Sequence, residues 1–187
     1  MKSAQQNLKK RILVIRNRYI GDTVLAIPFL RNLRNKYPDA IIDVLVAHGA
    51  GQILDECPYK NELIAWNRSK GINDVFLKSF VNIVSMARCV RRRRYDQTFI
   101  LNRSLSTGLL AWFAGIPHRV GAVRDGRGMF LTHKVPLQKG RHEVELSFDL
   151  LRAEGIAVDD GHNENWVSES SGRKVEQLLA SIPPQKP

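Results

Sequence analysis

The residues best suited to chemistry lie in one short loop. Asn17, Arg18, Tyr19, Gly21, Asp22 and Thr23 follow an apolar run at residues 12–15 and precede a helical pattern. Asp22 is a carboxylate that can take a proton from a hydroxyl, the work of a general base. It can equally be a helix cap, since Asp is among the side chains that satisfy the free N–H groups of a helix start. Arg18 beside it can hold a carboxylate or phosphate through paired N–H donors. Further residues of this kind recur along the chain: Arg68, then Asn102, Arg103 and Ser104, then Arg124 and Arg127, and finally His142. For each arginine the alternative is a solvated surface charge, the common fate of the type. For His142 it is a cap on the helix that follows.

Regular elements must position these groups. Residues 12–15 are wholly apolar, as a parallel strand covered on both faces requires. Gly21 is expected to free the backbone for a sharp turn into the next helix. Ile27, Leu30, Leu33 and Tyr37 recur at helical spacing, with a kink or an irregular start expected at Pro28. Further strands are read at residues 40–47, 62–66, 96–101 and 119–123. A short helix is read at 52–57, and longer ones at 72–94, 105–114, 142–154 and 167–182. Gly115 and Pro117 stop the helix at 105–114. Residues 159–164 are polar and expected to be loose.

Strands alternating with helices predict a doubly wound α/β domain with a mainly parallel sheet. Ligands gather outside the carboxyl ends of such strands. The loop carrying Asp22 and the stretch at 102–104 occupy that place, and Arg68 and Arg124 follow the third and fifth strands. The expected organisation is a loose N-terminus at residues 1–10, one domain at 11–165, and a helix and linker at 166–187. The closing Pro-Pro-Gln-Lys-Pro has linker composition.

The 187 residues carry a net charge of +11, which points to an anionic partner. Five arginines crowd residues 88–94, where they suit the negative end of a helix. No base-stacking aromatics are interleaved with them, and no nucleic-acid-binding motif is present. No nucleic-acid partner is therefore expected. Cys57 and Cys89 lack metal-ligand company, so neither a disulfide framework nor a metal site is predicted, and a reducing, cytoplasmic setting fits. No apolar stretch is long enough to span a membrane. Neither a GxGxxG nor a P-loop pattern follows the first strand.

Several segments resemble one known family. ILVIRNRYIGDTVLAIPFLRNLRNKYPDAIIDVLV looks like the opening of the ADP-heptose:lipopolysaccharide heptosyltransferases, glycosyltransferase family 9. NELIAWNR, YDQTFILNRSLSTGLLAWFAGIPHRVG and HEVE follow in the family's order, and FAGIPHR leans toward the heptosyltransferase II branch. The resemblance covers residues 11 to 157. It implies a Rossmann-like domain, the N-terminal, acceptor-holding half of a GT-B glycosyltransferase, whose nucleotide-binding partner domain lies outside this sequence.

By residue match, Asp22 takes the position of the family's catalytic base in a metal-free, inverting displacement at the sugar C1. The implied donor is ADP-heptose and the implied acceptor the lipopolysaccharide inner core. No cofactor is implied. Arg18, Arg68, Asn102, Arg103, Ser104, Arg124, Arg127 and His142 are the implied acceptor-binding residues. The heptosyltransferase II pattern reads Pro-Asn-Ser where this chain has Asn102-Arg103-Ser104, and Leu146 stands where many relatives carry a basic residue. Such a role fits a location in the cytoplasm and is compatible with peripheral contact at the inner face of the inner membrane. The chain alone, without a donor domain, is expected to be inactive. The alternatives are a non-catalytic domain that binds an anionic glycan, and a transferase of another sugar to a surface polysaccharide.

Overall fold

The computed structural model describes residues 9–67, 76–123, 127–137 and 140–180. Six strands form one sheet: β1 (Arg11–Arg16), β2 (Ile41–Ala47), β3 (Leu63–Trp66), β4 (Gln97–Ile100), β5 (His118–Val123) and β6 (His133–Pro136). Their order is β3-β2-β1-β4-β5-β6, and every neighbouring pair is parallel. This is the doubly wound, Rossmann-like arrangement. Its order reverses between β1 and β4, so the loops leaving those two strands diverge and open a crevice.

Strand alternation sends β1 side chains to two cores. Ile12 and Val14 join Phe29, Leu30 and Leu33 of α2 (Ile27–Lys36) and Phe148, Leu150 and Leu151 of α5 (Glu143–Ala153) on one face. Leu13 and Ile15 join Ile83, Ala87 and Val90 of α3 (Phe76–Arg92) and Leu110 and Ala111 of α4 (Leu105–Phe113) on the other. Phe29 and Phe99 meet edge to face at 5.3 Å in the first core, fully buried. Truncating either to alanine costs about 3–5 kcal/mol by the usual scale for buried aromatics. The second core also encloses a carboxylate. Asp43 accepts from the Tyr95 hydroxyl at 2.5 Å, from Arg93 Nη1 at 3.3 Å and from the Glu62 N–H at 3.1 Å.

The structure departs from the sequence reading in several places. The helix anticipated from Asp22 onward is two: α1 (Ile20–Val24), then, after Leu25 and Ala26, α2. Of the two expectations for Pro28, a kink or an irregular start, the second holds: Pro28 lies in the first turn of α2, where its missing N–H costs nothing. β6 was not read from the sequence, because only Val135 of its four residues is buried and the alternation never develops. Nor are residues 159–164 loose. Asn32 Oδ1 accepts from the Asp159 N–H at 2.8 Å and its Nδ2 donates to the Asp160 carbonyl at 2.7 Å. Glu164 takes hydrogen bonds from Tyr59 and Arg31. Trp166 then packs on Tyr59 at 5.6 Å, and α6 (Glu169–Ala180) follows with the Ser168 hydroxyl capping the Ser171 N–H.

Gly115 does what the sequence suggested. Its φ of 72° lies in the left-handed region, and the Ile116 N–H returns to the Ala111 carbonyl to close α4. The helix expected to reach residue 94 stops two residues sooner, and Arg94 itself takes a φ of 52°.

Candidate active site

Arg16, the last residue of β1, sits at the switch point with its side chain 2% exposed. Its fork reaches three ways. Nε donates to the Asp22 carbonyl at 2.8 Å, Nη2 to Asp22 Oδ1 at 3.2 Å, and Nη1 to the Leu101 carbonyl at 3.1 Å. One guanidinium thus ties the end of β1, the start of α1 and the end of β4. Burial pulls its pKa down, Asp22 pulls it back up, and Arg18 and Arg103 add to the lowering. Arg16 thus feels two further cations, Arg18 and Arg103, and the carboxylate of Asp22 at the carboxyl ends of the strands.

Asp22 is not a helix cap. Tyr19 holds that position in extended conformation, without a side-chain cap, and Asp22 lies in the first turn. Arg16 engages its Oδ1, while Oδ2 has no protein partner among the described residues. The carboxylate is partly exposed, so the free oxygen can meet an incoming hydroxyl.

Gly21 departs from expectation in a useful way. Its φ is not positive, so the turn does not require glycine. A Cβ built there meets nothing within 4 Å, because the residue borders open space. That space is a pocket of about 880 Å³ across the ends of β1, β2 and β3, lined by Asn17, Arg18, Tyr19, Gly21, His48, Gly49, Trp66 and Asn67 among others. A bare backbone on its wall lets a ligand approach closely. Trp66 is locked in that wall by its Nε1, which donates to Asn82 Oδ1 at 2.5 Å.

On the other side of Arg16 stands Glu143, the first residue of α5. It pairs with Arg103 and lies 3.6 Å from Arg16 Nη1. His142, just before it, caps α5 by accepting the Val144 N–H at 3.4 Å through Nδ1, and is exposed. Asn102 is 1% exposed; its Nδ2 donates to the Asn17 carbonyl at 2.9 Å, joining the two loops of the crevice. It shapes the floor rather than presenting a surface. Ser104 precedes α4, with its hydroxyl 2.7 Å from that of Ser106.

The structure therefore brings Asp22, Arg18, Arg103, Asn102, Ser104 and His142 to one end of the sheet. Arg68 and Arg124 lie outside the described residues. Arg127 opens the 3-10 turn Arg127–Phe130 after β5, and its side chain is likewise outside the description. Arg16 and Glu143 were missed by sequence reasoning. The only signal for Arg16 was a cation closing an apolar strand six residues before Asp22. Glu143 gave none beyond its place in the HEVE stretch.

An open α/β sheet of this order, with an acid and arginines at its switch point, defines a Rossmann-like domain. A family profile, glycosyltransferase family 9 (heptosyltransferase), matches residues 83–180, just over half of the chain, which belongs to that family. Over 111 residues it is 32% identical to lipopolysaccharide heptosyltransferase 2 of Escherichia coli strain K12, covering 59% of this chain and 30% of that protein. Over 173 residues it is 30% identical to lipopolysaccharide heptosyltransferase 3 of the same strain, covering 88% of this chain and 48% of the other. The solved E. coli ADP-heptose lipopolysaccharide heptosyltransferase II superposes with a TM-score of 0.71 at 25% identity, over 95% of this chain and 52% of that one. The match thus spans between 30% and 48% of the length of these curated relatives. No helix among the described residues is long and apolar enough to cross a membrane.

Proposed function

We propose that this chain is the acceptor-binding half of a heptosyltransferase that moves heptose from ADP-heptose to the lipopolysaccharide inner core. In this reading the acceptor hydroxyl lies against Asp22 Oδ2. Its oxygen attacks the sugar C1 from the face opposite ADP. The C1–O bond to ADP breaks as the new glycosidic bond forms, the configuration inverts, and the hydroxyl proton passes to Asp22. Arg18 and Arg103, together with Arg68, Arg124 and Arg127, hold the acceptor's carboxylates and phosphates. Ser104 and His142 add polar contacts, and Asn102 fixes the loop that carries Arg103.

The observation that supports this most is the divided use of the Asp22 carboxylate: one oxygen is gripped by Arg16 and the other has no protein partner among the described residues, one position along the chain from Gly21 on the pocket wall. Positioning of this kind supplies much of the gain in a proton-transfer step, because the reacting groups are held in place beforehand. The donor's ADP is assigned to a second domain of the kind the full-length relatives carry. Contact with the inner membrane follows from the acceptor's lipid and belongs to the same reading.

The test joins this chain to the second domain of heptosyltransferase II and assays it with ADP-heptose and core acceptor. Transfer should appear, and Asp22→Asn should abolish it while acceptor binding persists. Near-normal turnover by Asp22→Asn removes the acid from the mechanism. Acceptor binding by the chain, with no transfer under any pairing, would favour a glycan-binding domain instead.

A further inference from the structure

The opposite end of the sheet holds a second cluster. His118 opens β5, His133 opens β6, and Glu154 follows the last turn of α5. One ligand-capable atom from each lies within 4.8 Å of the other two. His118 Nε2 is 2.7 Å from Glu154 Oε2, and the two imidazole rings face each other with centroids 3.8 Å apart. We propose that His118, His133 and Glu154 form a binding site for a divalent transition metal of the Zn²⁺ class, which anchors the edge strand and the C-terminus of α5.

Two imidazoles and a carboxylate suit such an ion. Donors around a tetrahedral Zn²⁺ lie about 3.3 Å apart, given metal–ligand distances near 2.0–2.1 Å. The present donor spacings are 4.8 Å or less, and the exposed His133 ring is the member with room to turn. The surrounding groups are arranged as metal ligands need them. Gln97 Nε2 donates to Glu154 Oε2 at 3.0 Å and orients the carboxylate. Thr132 Oγ1 accepts the Arg119 N–H at 2.7 Å and lies 3.3 Å from the Arg119 carbonyl and 3.2 Å from His133 Nδ1. In the tautomer that donates Nδ1–H to this hydroxyl, the Nε2 lone pair of His133 is available to a metal.

Such an ion has a structural task. β6 is one of the two edge strands, with one buried residue out of four. The ion would clamp β6 to β5 and to α5. The eleven residues of α5 span about 16 Å at the usual rise. At their far end Glu143 grips Arg103 and approaches Arg16. Fixing one end of α5 fixes the placement of that carboxylate. This cluster was not legible in the sequence, because its members are widely spaced and only strand register and the end of α5 bring them together.

The inference is independent of the glycosyl-transfer reading, and its test needs no activity. The full chain, free of any affinity tag, is dialysed against Zn²⁺ alone and then against Co²⁺ alone. One ion per chain should bind, with a rise in Tm. The Co²⁺ form should show d–d absorption without a thiolate charge-transfer band. His133→Ala and Glu154→Gln should each weaken Zn²⁺ binding by at least about tenfold, and Gln97→Leu by about tenfold, as for removal of an orienting group. His133 is exposed, so its substitution is not expected to disturb the metal-free fold, which the metal-free Tm verifies. Absence of binding, binding unchanged in both ligand variants, or a thiolate band implicating Cys89 would each overturn the proposal.

Discussion

Arg16 grips Asp22 at two points, its Nε on the main-chain carbonyl at 2.8 Å and its Nη2 on carboxylate Oδ1 at 3.2 Å. The first contact sets where α1 begins relative to β1. The second sets which way the carboxylate faces. Both come from a planar donor fork that a lysine cannot imitate.

Replacement of Arg16 should therefore separate stability from positioning. Arg16→Ala leaves the Leu101 carbonyl and two carboxylates without their buried cation. It should cost about 3 kcal/mol, the lower end of the range for a broken buried pair, because both acids are partly exposed. For a domain of this size that lowers Tm by roughly 10 °C in a thermal melt. Arg16→Lys keeps the charge and should fold, yet lose the carbonyl contact. With the second domain supplied, its kcat should fall about a hundredfold, as for a reacting group displaced by an ångström, with KM for the acceptor little changed. A change confined to KM would show that Arg16 does not orient the base.

Glu143 restrains the arginines from the opposite side. It pairs with Arg103 and lies near Arg16, so it neutralises part of the crevice while no acceptor is bound. Glu143→Gln keeps the shape and removes the charge. The stability loss should be small, about 1 kcal/mol, because both partners in the Arg103 pair are partly exposed. Affinity for an anionic core oligosaccharide, read by calorimetry, should rise about two- to fivefold at low salt and converge with the parent at high salt. Arg103→Ala should do the reverse. If neither variant alters affinity, Arg103 does not face the acceptor.

Much of this was legible in the chain. The apolar runs at residues 12–15 and 40–47, and the helical spacing from Ile27 to Leu33, are local patterns whose period reports burial directly. They gave the parallel sheet, and with it the place of the Asp22 loop. What failed to show was whatever depends on contacts across the sequence. Arg16 looked like the end of a strand, and only the return of β4 beside β1 made it the hub of a site. Glu143 needed α5 to fold back over the same edge. The tie between Asn32 and residues 159–160 spans more than 120 positions, so a polar stretch read as loose. Gly21 misled for a different reason. Glycine suggests a special backbone angle, but here its missing side chain leaves room in the pocket.

That same tie predicts an acid-sensitive step. Glu164 accepts from the Tyr59 hydroxyl at 2.7 Å and from Arg31 Nε at 2.8 Å, and these hydrogen bonds, Tyr59 first, hold its pKa below the ordinary glutamate range. Asp160 is lowered as well, by hydrogen bonds from His162 and by the Arg31 charge. A carboxylate whose pKa is depressed in the folded state releases its proton there more readily than in the unfolded chain. Its contribution is complete above the unfolded value, near 4, and is lost as pH falls through the lower folded value. Tm should accordingly hold steady down to about pH 5 and drop below about pH 4. Glu164→Gln should lower Tm at neutral pH and flatten part of the acid limb, because one of the two titrating groups is gone. The first region to open should be residues 159–166 over α2, seen as faster amide exchange of the Asp159 N–H while the strands stay protected. An acid limb unchanged in Glu164→Gln would mean that the carboxylates driving acid unfolding lie elsewhere.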